Sequence, residues 1–173
     1  YTLEHEVAFE VGNSTNQAMF NNFVWGSDIG YNVTSGTTGA MLVGNGADMA
    51  NKALLISGSV NNTQLINMLL VSKPSVNQSP RNLPVVLSIT PGNNLYIETD
   101  QSFSGYVNII NSISWGNSQA SAYLLKGTGD IHINGGIIDH ARSPIIQNRV
   151  SALSMFGLII NPSAASEIEN GTD

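Results

Sequence analysis

The stretch GTGDIHINGGIID, residues 127–139, alternates polar and apolar side chains and then reaches two glycines. In an extended strand Asp130, His132 and Asn134 lie on one face, because successive side chains point to opposite faces. The NGG turn at 134–136 suits residues that tolerate positive φ. The stretch therefore predicts a half-buried strand that ends in a tight turn.

Similar short runs between Gly, Asn, Pro and Ser clusters extend over the whole chain. We predict strands near residues 1–11, 28–34, 40–43, 53–60, 64–72, 84–90, 94–99, 103–115, 118–126, 130–138 and 150–160. Only 14–24 and 62–72 also fit a short helix. The sequence therefore predicts an all-β single domain, a two-layer β-sandwich of jelly-roll or Ig-like type.

This sandwich is expected to have three parts along the chain. They are an N-terminal strand or donor arm at 1–12, a sandwich body at 13–162 and a polar C-terminal tail at 163–173. Apolar residues of the predicted strands should form the core, among them Leu55, Val86, Leu87, Ile89, Ile109, Ile113, Leu124, Phe156 and Ile159.

Residues 127–139 also resemble the I-x-G-G-x-I-D rungs of right-handed parallel β-helix glycosidases and lyases. A solenoid must repeat its unit to bury its faces. The resemblance covers about a dozen residues, and we find no second copy along the chain. A sandwich is therefore the expected fold.

The composition is polar but contains few charged residues. Of 173 residues 42% are hydrophobic and 10% charged, whereas about 25% charged residues is usual in soluble domains. Such a balance is common in extracellular structural proteins, adhesins and viral shells. The net charge of −6, with six Lys and Arg in all, leaves no basic stripe for phosphates. Nucleic acid is therefore not an expected partner.

The sequence gives no reason to expect a disulfide framework or insertion into a membrane. There is no cysteine, and the longest apolar run, 152–160, is too short to span a bilayer as a helix. The chain begins at Tyr1, which indicates an excised domain or a precursor that has lost its signal peptide. We expect an extracellular or cell-surface location, or the exterior of a virion.

Candidate chemical groups are few. Asp130, His132, Asp139 and His140 offer carboxylates and imidazoles for a divalent cation or a proton, but an ordinary solvent-facing strand explains them as well. Residues 42–51 place Asn45 and Asp48 beside glycines, with fewer acidic ligands than a calcium loop needs. The chain has no phosphate-binding loop and no G-x-S-x-G elbow. We therefore expect no enzyme activity, no catalytic residues, no metal and no cofactor.

Surface modification and sugar binding are two further expectations. N-glycosylation sequons occur at Asn13, Asn32, Asn61, Asn77 and Asn170, although a chain so rich in Asn, Ser and Thr would contain about four by chance. Aromatic rings that could stack on surface glycans belong to Trp25, Tyr31, Trp115 and Tyr123. Core packing is the alternative for these rings, and we expect it for Trp115.

The first strand, YTLEHEVAFEV at residues 1–11, has one apolar face and one acidic face. It can complete its own sheet or leave its own subunit, since it lies at the terminus and a flexible GNSTN follows at 12–16. It resembles the N-terminal extension of donor-strand-assembled, pilin-like filament subunits. That resemblance implies a secreted subunit that polymerises head to tail with copies of itself. The donor-strand residues would be Leu3, His5, Val7, Phe9 and Val11.

Two other classes of function share these features. A viral capsid, cement or fibre protein would also combine β-strands, low charge and an exchanged terminal arm. A carbohydrate-binding or adhesive module would use the exposed aromatic rings. The sequence favours the filament subunit and leaves both alternatives open.

Overall fold

The computed structural model describes residues 5–72, 95–116, 122–139, 146–161 and 168–171. These residues form parallel β-sheets stacked as a β-solenoid, and the pairings between the strands are parallel throughout. The prediction of an all-β chain with little helix is confirmed. The prediction of a two-layer sandwich is wrong, because each strand pairs with its counterpart in the next coil and not with an antiparallel neighbour.

The strands fall into three sheets, which the chain visits in the order A, B, C. Sheet A consists of β1 (Val7–Val11), β4 (Ile29–Val33), β8 (Lys52–Ile56), β11 (Leu95–Thr99), β14 (Tyr123–Lys126), β17 (Ile146–Arg149) and β20 (Ile168–Asn170). Sheet B consists of β2 (Ala18–Phe20), β6 (Met41–Val43), β9 (Ser59–Ile66), β12 (Ser104–Ile110), β15 (Asp130–Asn134) and β18 (Ala152–Phe156), with β5 (Thr37–Thr38) also paired to β9. Sheet C consists of β3 (Phe23–Trp25), β7 (Gly46–Ala50), β10 (Leu69–Ser72), β13 (Ile113–Gly116), β16 (Ile137–Asp139) and β19 (Ile159–Asn161).

The register shows the length of one coil. Val7 lies opposite Ile29 and Ile29 opposite Lys52, so one turn of the chain takes 22 and then 23 residues. The coil after β8 is longer, because β8 pairs directly with β11 while residues 73–94 fall between β10 and β11. The register therefore places chemically equivalent positions of successive coils in straight columns along the solenoid.

The core is a set of such columns that point inward from the three sheets. These positions are buried in the interior coils, whereas Phe9, Met19 and Val24 in the first coil and Met155 and Ile160 in the last are half-buried. Sheet A contributes Phe9, Tyr31, Leu54, Ile97, Tyr123 and Ile146. Sheet B contributes Met19, Leu42, Leu65, Ile109, Ile133 and Met155. Sheet C contributes Val24, Ala47, Leu70, Ser114, Ile138 and Ile160.

Several residues that the sequence assigned to the core lie elsewhere. Ile109 is buried as expected, whereas Ile113, Phe156 and Ile159 are exposed. Leu55 and Leu124 are half-buried on the outer side of sheet A. Val86, Leu87 and Ile89 lie outside the described residues.

The alternation of inward and outward side chains explains why Ile113 was wrongly assigned to the core. The sequence suggested one continuous strand at 103–115, but β12 ends at Ile110 and Asn111 takes a positive φ of 50°. This corner reverses which residues face inward, so Ser112 and Ser114 are buried while Ile113 and Trp115 are exposed. The expectation that Trp115 packs in the core is therefore wrong.

Candidate functional site

The residues that suggested chemistry at 127–140 lie in two different sheets. Asp130, His132 and Asn134 belong to β15 in sheet B, and Asp139 ends β16 in sheet C, beyond the corner. His140 lies outside the described residues. Within the described part of the chain, no three His, Asp or Glu side chains come together to hold a metal ion.

His132 has a polar environment on the outer side of sheet B. Its Nδ1 lies 2.7 Å from the Ser154 hydroxyl oxygen of the next coil, and its ring lies 4.9 Å from that of Tyr106. The Tyr106 hydroxyl donates to Asn108 Oδ1 at 3.0 Å. Among the described residues no carboxylate orients the imidazole from its other side, as a nucleophile–base pair would require. The arrangement resembles a surface hydrogen-bond network more than a catalytic site.

Asn45 and Asp48, the residues considered above as calcium ligands, have other surroundings in the structure. Asn45 is fully buried, its Oδ1 accepts hydrogen bonds from Asn22 N–H at 2.9 Å and Asn22 Nδ2 at 3.0 Å, and its Nδ2 donates to the Met19 carbonyl at 2.9 Å. Its amide is therefore part of the structural support of the corner. Asp48 lies in β7 opposite Trp25, on the outer side of sheet C.

The four candidate aromatic rings separate into two pairs. Tyr31 and Tyr123 are buried, and desolvation raises the pKa of each hydroxyl to about 12. Hydrogen bonds partly offset this rise: the Tyr31 hydroxyl donates to the Gly46 carbonyl, and the Tyr123 hydroxyl bonds with Ser114. Trp25 is 68% exposed and Trp115 45% exposed, both on the outer side of sheet C. Only the tryptophans are available to a ligand.

Exposed apolar residues follow the corner between sheets B and C. One column on the sheet B side contains Phe20, Val43, Ile66, Ile110, Asn134 and Phe156. One column on the sheet C side contains Phe23, Gly46, Leu69, Ile113, Ile137 and Ile159. We call these two columns together the corner strip. It contains no charged residue and runs from β2 and β3 to β18 and β19.

The corner itself carries the internal repeat that sequence inspection missed. Between the two columns, each coil has an Asn or Gly at positive φ, namely Asn21, Gly44, Asn67, Asn111, Gly135 and Gly157. Both residue types tolerate this conformation, so they exchange for one another and conceal the repeat. The signal that could have revealed the solenoid is a recurring pattern: the end of one strand, then Asn or Gly, then any residue, and then a second strand.

The predicted donor strand lies on its own subunit in this structure. Val7, Phe9 and Val11 are in β1, which pairs in parallel with β4; Val11 is buried, and Phe9 stacks on Tyr31 with ring centroids 5.1 Å apart. His5 is exposed just before the strand, and Leu3 lies outside the described residues. β1 forms one edge of sheet A.

Both ends of the solenoid leave core positions half-buried. In the first coil these are Phe9, Met19 and Val24, and in the last coil Leu153, Met155, Leu158 and Ile160. The equivalent positions of the interior coils are nearly all fully buried. The apolar interior therefore reaches the surface at both ends, beside strand edges that have no partner strand among the described residues.

The sequons differ in their surroundings. Asn13 and Asn61 are exposed, while the Asn32 amide donates to Glu10 Oε2 at 3.3 Å. Asn170 is exposed and its Oδ1 accepts from Asn148 Nδ2 at 2.8 Å. Asn77 lies outside the described residues.

The described residues contain no helix long and apolar enough to cross a membrane. Comparison with protein-family models, curated proteins and solved structures finds no match to this chain. Its function therefore has to be argued from the geometry of its own fold.

Proposed function

We propose that this chain is a structural subunit of an extracellular filament, in which copies stack end to end so that the solenoid continues from one subunit to the next. The observation that carries the proposal is the half-buried apolar surface that the described residues present at each end of the solenoid. Terminal repeats of a soluble solenoid normally need a polar cap. Here most inward positions of the first and last coils are apolar and only half-buried.

The two ends are complementary in chemistry. Phe9, Met19 and Val24 at one end and Leu153 and Met155 at the other occupy the same columns that are sealed inside the molecule. Stacking would cover them as a neighbouring coil does, and burial of apolar area stabilises by about 25 cal/mol per Å². The free strand edges would pair at the same time, since an exposed edge is a template for another chain.

The backbone of β1 is oriented for such pairing. Ile29 N–H donates to the Glu6 carbonyl at 3.0 Å, and Val7 lies opposite Ile29. Because the groups of successive residues point to opposite sides of a strand, the N–H and C=O of Val7 and Phe9 point toward the open edge. A contact between two different ends is heterologous, so it propagates into a filament and does not close into a dimer.

The remaining support comes from composition. The low content of charged residues, the absence of cysteine and the abundance of Asn, Ser and Thr fit an extracellular assembly. Exposed Glu6 and Glu10 flank the open edge of β1 and would discourage pairing with unrelated strands. The partners are thus copies of the same chain, with nucleic acid and membrane insertion not expected.

Proline at Val7 provides a direct test. Val7→Pro removes an N–H that points to the open edge and none that bonds β4. Val7→Thr is the matched control, because it keeps both the N–H and the β-branched shape. Sedimentation velocity and negative-stain microscopy should show filaments for wild type and Val7→Thr, and short species for Val7→Pro. Filaments of equal length in all three proteins would contradict end-to-end stacking, as would a monomeric wild type. Closed shells would instead favour the viral alternative.

A second candidate function rests on the two exposed tryptophans. Trp25 and Trp115 lie on the outer side of sheet C; Trp25 is opposite Asp48, and the strand of Trp115 pairs with β16, which ends at Asp139. Flat rings with polar neighbours suit stacking on sugar faces, so an adhesive module that binds surface glycans would use this face. Tryptophan fluorescence titrated with a panel of glycans tests it, with Trp25→Ala as the variant expected to lose the signal. No response to any glycan in wild type would reject this candidate.

A further inference from the structure

The strand β20 gives sheet A one strand more than the other two sheets have. Among the described residues sheet A runs through seven strands from β1 to β20, whereas the stacked paths of sheets B and C have six each. We propose that β20 is a removable cap: it covers the edge of β17 that β1 of the next copy occupies in the filament, and assembly requires its release. This inference rests on the proposed end-to-end stacking and adds how that stacking is controlled.

A continuous stack cannot be built while β20 stays in place. Successive strands of a sheet lie about 4.8 Å apart. A second copy shifted along the axis by six strands has β2 next to β18 and β3 next to β19, but its β1 lies where β20 is. A copy shifted by seven strands has β1 next to β20 and leaves one strand missing from sheets B and C, with about 9.6 Å between the strands on either side. All three sheets therefore continue only when the edge of β17 is cleared.

The exposed side chains of the end coils favour the shift by six strands. When the registers of sheets B and C are continued, this shift places Phe156 of one copy against Phe20 of the next, and Ile159 against Phe23. These four side chains are 80%, 58%, 55% and 57% exposed. Ile66, at the place equivalent to Phe20 in an interior coil, is half-buried because a neighbouring coil covers it. The shift by seven strands would leave all four side chains in water.

The charges at the edge of β17 also suit β1. With β1 in the place of β20, the register of sheet A puts Gly12 of the next copy opposite Arg149. Within one subunit Arg149 lies across Gly171, with its Nε 3.4 Å from where a Cβ on that glycine would be. Glu10 Oε1 lies 4.0 Å from the corresponding place on Gly12. The exchange therefore brings the guanidinium of one copy beside the carboxylate of the next, a charge-assisted contact.

The strand β20 is held by few contacts. It is three residues long, against five in β1. The Asn148 Nδ2 donates to Asn170 Oδ1 at 2.8 Å, and the Gly171 N–H donates to the Asn148 carbonyl at 3.0 Å. Asn170 is exposed. A short terminal strand of this kind opens at low cost, and the longer β1 replaces its backbone hydrogen bonds while sheets B and C gain partners. Exchange of β20 for β1 therefore favours the filament.

A disulfide that holds β20 on β17 tests the proposal in the full chain, which has no cysteine of its own. Asn148 and Asn170 lie opposite each other with their side chains in contact, so Asn148→Cys with Asn170→Cys suits disulfide geometry. The oxidised protein should show at least a tenfold loss of filament mass in sedimentation, and the reduced protein should assemble. His132→Cys with Ser154→Cys is the matched control, since these residues link β15 to β18 in the same way. The control should assemble in both states, and thiol titration verifies each bond.

A second variant loosens β20 instead of holding it. The Gly171 N–H faces β17, so the Glu169 N–H two residues earlier faces β17 as well. Glu169→Pro removes this donor and should lower the critical concentration for assembly at least threefold relative to Glu169→Gln, which keeps it. Circular dichroism verifies that both variants are folded.

The outcomes separate the cap from the filament. Oxidised Asn148→Cys with Asn170→Cys that forms filaments as long as the reduced protein does would overturn the cap and leave end-to-end stacking intact. A critical concentration for Glu169→Pro no lower than that for Glu169→Gln would do the same. If the wild type, the reduced proteins and Glu169→Pro all stay monomeric, the stacking itself is refuted.

Discussion

Replacing Asn45 by alanine should destabilise the first coils strongly, because this buried amide supports the corner between sheets B and C. Its Oδ1 accepts from the Asn22 backbone N–H at 2.9 Å, and its Nδ2 donates to the Met19 carbonyl at 2.9 Å. Alanine leaves both backbone groups without these partners. The Asn22 N–H then lacks its acceptor, and an unpaired buried group costs about 1–3 kcal/mol, so we expect a loss of about 1–3 kcal/mol.

A loss of this size is large against the roughly 5–15 kcal/mol by which native domains are stable. Urea unfolding followed by circular dichroism measures it, and hydrogen exchange at the Asn22 amide shows whether the corner opens locally, as terminal coils of a solenoid can. Asn67→Gly is the matched control. Asn67 is exposed at positive φ, and Gly44 occupies the equivalent place one coil earlier. We expect the control to change stability by no more than about 0.5 kcal/mol.

A second variant separates the donor from the acceptor. Asn45→Asp keeps an oxygen for the Asn22 N–H but, when ionised, has no proton for the Met19 carbonyl. Burial would raise the pKa of this carboxyl above its unfolded value of about 3.9. Its stability relative to wild type should therefore be greatest below about pH 4 and should fall as pH rises through the raised pKa. If Asn45→Ala unfolds at the wild-type urea concentration and the Asn22 amide exchanges no faster, the hydrogen bonds do not support the corner and the reasoning fails.

Three further variants test a buried tyrosine and a nearly buried ion pair of sheet A, and a glycine of sheet B. Burial raises the pKa of Tyr123 from 10.0 to about 12. Its contribution to the free energy of unfolding is therefore complete below pH 10, and about 3 kcal/mol is lost between about pH 10 and pH 12. Tyr123→Phe should flatten this part of a stability–pH profile. Gly105→Ala should cost at least about 1–3 kcal/mol in thermal or urea unfolding, because φ is +109° and a Cβ would clash with the Val60 carbonyl oxygen. An unchanged midpoint would refute the geometry. Glu98, 2.7 Å from Lys52, is nearly buried, and Glu98→Ala should cost about 1–3 kcal/mol, less in high salt; a loss that does not depend on salt would rule out the ion pair as its cause.

The alternation of side chains within each strand was readable from the sequence, and it correctly indicated an all-β chain. In β15, for example, Ile131 and Ile133 point inward while Asp130, His132 and Asn134 lie on the outer face. Alternation is a property of one strand and its two faces. It therefore gives the same pattern whether the next strand is an antiparallel neighbour or the next coil of a solenoid, so sandwich and solenoid could not be separated on this evidence.

The repeat that distinguishes them was present but weak. The corner residues Asn21, Gly44, Asn67, Asn111, Gly135 and Gly157 recur at intervals of 22 to 24 residues, except where the long coil makes the interval 44. What they share is a backbone conformation, which two residue types satisfy. The resemblance of residues 127–139 to a β-helix rung was therefore a correct indication of the fold that was set aside for want of visible copies.

The sequence by itself determined strand content, low charge and the polarity of each strand face. Only the tertiary structure decided which apolar residues are buried. The corner between sheets B and C reverses the parity of the chain, so Ile113 faces outward although it reads as a core residue; Phe156 and Ile159 are also exposed at this corner, and Asn45 is buried although it reads as a surface residue. The exposed corner strip arises in the same way. Its members are scattered along the sequence and become one surface only because parallel stacking in register places equivalent positions of successive coils about 4.8 Å apart.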